Sequence, residues 1–127
     1  MMEKEEQFNR TQARFWLNYS HELSGAIRYQ EALFASERAL ALDRESAEIW
    51  YAHGTYLAML ARYGEALASF EQALELDAHF VPAWDGKAWA LSILGRREEA
   101  LAAVNRALEL NPDYFDAVKR KKRLEAL

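Results

Sequence analysis

Residues 47–80 read AEIWYAHGTYLAMLARYGEALASFEQALELDAHF, and this stretch decides the fold. Trp50, Gly54, Leu57 and Ala61 recur at steps of three and four, and Ala66, Phe70, Ala73 and Leu74 do the same further on. Each set lies on one face of a helix. The stretch therefore holds two amphipathic helices in succession. The same text returns on both sides of it. Trp16, Trp50 and Trp84 are spaced by 34 residues. Sixteen residues after each comes the alanine of a Glu-Ala pair: Glu31-Ala32, Glu65-Ala66 and Glu99-Ala100. An Ala-Leu-x-Leu block follows from Ala39, Ala73 and Ala107, and Asp43, Asp77 or Asn111 closes it. Pro112 then stands where a helix should end. No copy needs a gap.

The units run over 13–46, 47–80 and 81–114 of a chain of 127 residues. Small residues at unit position eight (Ser20, Gly54, Ala88) let helix axes approach, and leucines at position eleven (Leu23, Leu57, Leu91) fill the space beside them. One unit cannot bury its own apolar face, so neighbours stack, and about three units are the usual minimum. Trp16, Trp50 and Trp84 are expected to be core residues between helices. Residues 1–12 do not continue the pattern backwards and form an N-terminal extension. Residues 115–127 read as a seventh, capping helix, with Ala117, Val118, Lys121 and Leu124 on one stripe.

Residue for residue, the three units resemble the tetratricopeptide repeat family, with an aromatic at position four, a small residue at eight, a large one at eleven and alanines at 20 and 27. The resemblance implies an all-α fold, a right-handed α-solenoid of three helix-turn-helix repeats plus the C-terminal capping helix. Two departures stand out. Proline at position 32 occurs only as Pro112, and the turn glycine at position 15 only as Gly95; Ile27 and Ala61 replace it in the earlier units. The first two turns are therefore less defined by sequence, with Gly25 and Gly64 as alternative break points.

The resemblance also implies a function: non-catalytic binding of a protein or peptide segment on the concave surface, as an adaptor, assembly factor or chaperone. Carried over by position, the groove contains Leu17 and His21 from the first unit, Tyr51, Thr55 and Met59 from the second, and Asp85, Trp89 and Ile93 from the third. Lys119 and Arg123 continue it from the cap. Tyr51, Met59, Trp89 and Ile93 would make an apolar strip rimmed by charge, suited to a partner with two or three apolar anchors. Family members that grip the C-terminal carboxylate of heat-shock chaperones do so with Lys, Asn and Arg at five positions. Here those positions hold Leu17, His21, Ala52, Pro82 and Gly86, so a carboxylate clamp of that kind is not expected. Dedicated secretion or pilus-assembly chaperones with three repeats are one alternative. A structural role is another, with self-association through Phe15, Tyr19 and Phe34 to a homo-oligomer.

Composition excludes other classes. There are no cysteines, and 16 basic against 20 acidic side chains give a net charge of -4. Disulfides and thiolate metal sites are out. Nucleic acid is a poor match for an acidic chain. The run Lys119-Arg120-Lys121-Lys122-Arg123 reads as the solvated face of the cap. No apolar run is long enough for a membrane span, and no signal peptide is visible, which points to the cytoplasm. His21, His53 and His79 have no metal-ligand spacing, no phosphate loop or nucleophile motif occurs, and the carboxylates do not converge. No enzyme activity, metal or cofactor is expected.

Overall fold

The computed structural model describes residues 2–127 and consists of seven α-helices, with no strand among the described residues: α1 (Met2–Gly25), α2 (Tyr29–Leu42), α3 (Ala47–Met59), α4 (Tyr63–Leu76), α5 (Val81–Ile93), α6 (Arg97–Leu110) and α7 (Phe115–Glu125). The pairs α1–α2, α3–α4 and α5–α6 pack as antiparallel hairpins, and α7 closes the last one. The first helices form one layer, α1 against α3, α3 against α5, and α5 against α7. Among the described residues the backbones of the second helices α2, α4 and α6 do not pack against one another. A layer whose members meet lies inside the curve; one whose members splay lies outside it. The first-helix layer is therefore the concave side.

The hairpin turn is the same in all three units. Ile27, Ala61 and Gly95 have φ of 60°, 61° and 79°. The amides of Arg28, Arg62 and Arg96 donate back to the carbonyls of Leu23, Leu57 and Leu91 at 2.8–2.9 Å. The amides of Ile27, Ala61 and Gly95 donate to the carbonyls of Ser24, Ala58 and Ser92. This is the Schellman pattern, which needs a left-handed residue after the helix. Two units thus place a non-glycine residue there, and Ile27 is β-branched, the costliest kind. Gly25 and Gly64, the alternative break points, lie within α1 and α4.

The core follows the repeat register with one correction. Trp16, Trp50 and Trp84 are half-buried rather than interior. Their outer faces carry cations, Arg38 over Trp16, Arg44 over Trp50 and Lys87 over Trp84. The indole N–H of Trp50 donates to the Arg44 carbonyl at 2.9 Å, and that of Trp84 to the Ala78 carbonyl at 2.8 Å. Each ties down the loop leading into its own unit. The interior is filled by Tyr56, Phe70, Leu17, Leu33, Leu91 and Val104. Phe70 lies against two backbones at once. A Cβ on Gly54 would come 2.9 Å from its ring, and one on Gly86 2.6 Å.

The extension is not a separate element either. Residues 2–12 continue α1 without a break. Phe8 does not fold back over Phe15 and Tyr19; all three are exposed.

Two outcomes follow for stability. Gly86→Ala forces the rigid Phe70 ring from its seat and should destabilise the chain by about 1–3 kcal/mol, measured by urea unfolding. Ile27→Gly releases a left-handed β-branched residue whose side chain is 74 % exposed, so no packing is lost. It should raise stability by about 1 kcal/mol.

Candidate functional site

The concave layer is built by side chains that face across successive first helices. Arg14 of α1 donates to both carboxylate oxygens of Glu48 on α3 at 3.2 Å. A relay joins the same helices further along. Ser20 donates to the Leu17 carbonyl at 2.6 Å, which commits its only proton. The Tyr56 hydroxyl, 2.9 Å away, must then donate to Ser20 Oγ, and His21 Nδ1 at 3.2 Å donates to Tyr56. His21 is the exposed end of this relay.

Between α5 and α7 the link is ionic. Arg120 reaches Asp85 with two nitrogens, at 2.8 and 3.2 Å. Asp85 is only 6 % exposed. Arg120 also lies 5.9 Å from the Trp89 ring, whose other neighbour is Tyr63 at 6.4 Å, edge on. Arg97 donates to the Leu124 carbonyl at 3.0 Å and ties α6 to the end of α7. Part of the basic run is therefore used inside the fold. Lys119 lies over the Phe115 ring, 4.7 Å from its centre.

This geometry divides the sequence-derived groove residues. Leu17 is 0 % exposed and belongs to the core, so it lines no groove. Asp85 is not a free rim charge, because Arg120 neutralises it. Tyr51 is wedged between Phe70 and Phe80, at 5.8 and 5.6 Å, and burial raises the pKa of its phenol. Trp89 is half-buried. His21, Met59, Ile93, Lys119 and Arg123 are exposed, and Thr55 is half-exposed with its hydroxyl on the Tyr51 carbonyl. Sequence reasoning missed Arg120 and Tyr56 as joints of this layer, and the pairing of Glu48 with Arg14. Their signal was present: each partner stands 34–36 residues away, one unit along the stack.

A second feature lies on the other side of α3. His53 sits in a furrow with Glu37, Leu40, Arg44, Trp50, Arg62 and Glu65. Ser36 gives its proton to the Leu33 carbonyl at 2.8 Å, so His53 Nδ1–H donates to Ser36 Oγ at 2.9 Å. Burial, and then the Arg62 charge, lower the imidazole pKa to about 4. No group of three or more His, Asp or Glu able to hold a metal occurs among the described residues. Nor is any helix long and apolar enough to cross a membrane.

The family profile described as Tetratricopeptide repeat matches residues 57–124, just over half of the chain. No curated protein gives a significant sequence match. Among solved structures, the Arabidopsis OM64 TPR domain superposes with a TM-score of 0.89 at 21 % identity, covering 93 % of this chain and 98 % of that one. The first TPR of Spaghetti (RPAP3), bound to the HSP90 peptide SRMEEVD, gives 0.88 at 19 % identity over 92 % of this chain and 93 % of that one. The second TPR domain of human RPAP3, in complex with the HSP70 peptide SGPTIEEVD, gives 0.84 at 20 % identity over 94 % and 98 %.

The His53 environment has a pH consequence. Below pH 6.5 the unfolded chain protonates this residue while the folded chain resists until about pH 4. Stability should be highest above pH 6.5 and fall as the pH drops toward 4. His53→Asn keeps a group to meet Ser36 but cannot titrate. Urea unfolding at pH 7 and pH 5 should show a smaller difference for that variant than for the parent.

Proposed function

This chain belongs to the tetratricopeptide repeat family, and from that premise we propose that its concave layer binds a peptide or helix of a partner protein through apolar anchors. Domains of this family are interaction modules, not enzymes. The observation that carries the reading is the pair Met59 and Ile93. They occupy position thirteen of successive units, at the ends of the two central first helices, and are 43 % and 54 % exposed. Exposed apolar side chains in register on a layer of joined helices offer anchor points one unit apart. Half-buried Trp89, held by Tyr63 and Arg120, adds a rigid aromatic surface to the same helix as Ile93. His21, Lys119 and Arg123 supply polar and cationic flanks.

A second reading has support from the bound neighbours, which hold the acidic chaperone tails SRMEEVD and SGPTIEEVD. In this chain the five clamp positions lack cations and amides. Leu17, Ala52 and Gly86 among them are buried. Lys119 and Arg123 remain as cations for an acidic tail, but from different positions. The apolar-anchor reading is therefore preferred.

Selection from a random peptide library on the immobilised chain tests both readings. The recovered peptides should carry two or three apolar residues. Met59→Asp and Ile93→Asp should each weaken them by more than about 1 kcal/mol, with melting temperatures close to the parent because both side chains are exposed. SRMEEVD, titrated in parallel, should bind more weakly than the selected peptides. Tight SRMEEVD binding lost in Lys119→Glu would favour the chaperone-tail reading instead.

A further inference from the structure

The two ends of the stack are finished differently. At the C-terminal end α7 covers the third unit, with Ala117 and Leu124 buried beneath it. At the N-terminal end the corresponding seat is vacant. Position three shows this: Ile49 and Ala83 are buried, whereas Phe15 is 61 % exposed. At position 22, where the other units have Ala68 and Ala102, stands Phe34, 58 % exposed. Phe34 shares a trough with Trp16, Tyr19 and Leu23. Phe8, Phe15 and Tyr19 follow at steps of seven and four along α1, which puts them on one stripe. Phe15 and Tyr19 each meet Trp16 edge on, at 5.8 and 6.2 Å. The stripe turns away from Arg14 and His21, so it is a different surface from the concave layer.

We propose that a second copy of this chain fills this seat, α1 against α1 in antiparallel orientation about a two-fold axis. With Gln12 counted in the stripe, Phe8, Gln12, Phe15 and Tyr19 stand at steps of four, three and four, which read the same in both directions. With the axis between Ala13 and Arg14, Phe8 faces Tyr19 of the other copy and Gln12 faces Phe15. The charges agree with this register. Lys4 and Glu22 stand about five helical turns apart, on the same edge of the stripe. In the antiparallel pair each Lys4 falls within one residue of the opposite Glu22, so two ion pairs form. Among the described residues neither side chain has an ion pair within its own copy. The area fits a reversible dimer. Phe8, Phe15, Tyr19 and Phe34 together expose on the order of 450 Å² per copy, taking about 200 Å² for each side chain. Two copies bring about 900 Å² of aromatic surface, to which the stems of Lys4, Gln12 and Glu22 add, the size of a modest, concentration-dependent interface just under the roughly 1,200–2,000 Å² standard class. A two-fold arrangement closes on itself and leaves the concave layers of both copies open.

Sedimentation equilibrium over a concentration series of the full chain tests this. The expected result is a monomer–dimer equilibrium that stops at two. Phe15→Glu should weaken the dimer at least tenfold, with an unchanged circular dichroism spectrum, because the side chain is exposed; Phe34→Glu is the second variant should the first misfold. Lys4→Glu should weaken it severalfold, and Lys4→Glu combined with Glu22→Lys should restore it. A mass that stays monomeric at every concentration overturns the proposal. So do oligomers that grow without limit, a dimer indifferent to Phe15→Glu and Phe34→Glu, or a charge exchange that fails to rescue.

Discussion

The central joint of the molecule is one ring between two glycines. Phe70 of α4 reaches across α3 and α5, and it does so because Gly54 and Gly86 leave out the Cβ atoms that would meet it. Three helices from two units are fixed by this contact, and the spacing of the units follows from it. A fully buried aromatic can span that distance only if the backbones come to it. At the same unit position the first repeat has Ser36, which hydrogen-bonds His53, and the third has buried Val104. Successive units are therefore joined by different chemistry on one geometric plan. The first joint is polar and contains the imidazole of His53; the second is apolar and holds no titratable group.

Much of this was legible from the 34-residue spacing. Seven helices, their order, the paired packing and the cap all follow from it, because a repeat that stacks must place the same positions at the same joints. What the spacing could not give was the depth of particular side chains. The three tryptophans looked like core because they recur. They recur for another reason as well: Trp50 and Trp84 hold the loop before their unit through the indole N–H, and that task keeps the ring at the edge. Trp16 has no such loop, because α1 runs through that place as helix. The turns show the converse. Ile27 and Ala61 lack the expected glycine, yet the backbone hydrogen bonds impose the same left-handed residue. Tertiary packing overrides local preference where the two helices of a unit must meet at one angle.

The groove was the least legible part, and position five explains why. Leu17, Tyr51 and Asp85 all occupy it, and a position-by-position reading exposes all three. In the fold, each points into the seam between neighbouring first helices. Leu17 is sealed there by packing, Tyr51 by Phe70 and Phe80, and Asp85 by Arg120. An apolar residue and a carboxylate can share this role because each finds its own partner across the seam. Burying Asp85 is tolerable only with Arg120 present, since an unpaired buried charge costs several kcal/mol. The side chains this layer leaves accessible thus stand at positions nine and thirteen.

The two surfaces left open by this arrangement differ in kind. The concave layer carries scattered apolar side chains among cations, on helices braced by ion pairs and a hydroxyl relay. It is not strongly hydrophobic, which fits the proposed reversible binding of a peptide segment. The N-terminal stripe concentrates aromatic surface on a single helix with few polar groups to satisfy. Apolar area of that density is unfavourable in water and is usually covered in permanent contacts. Because α1 presents the stripe and the concave residues on different sides, covering one leaves the other free. The dimer and the peptide-binding groove proposed above therefore use different sides of one helix and do not compete.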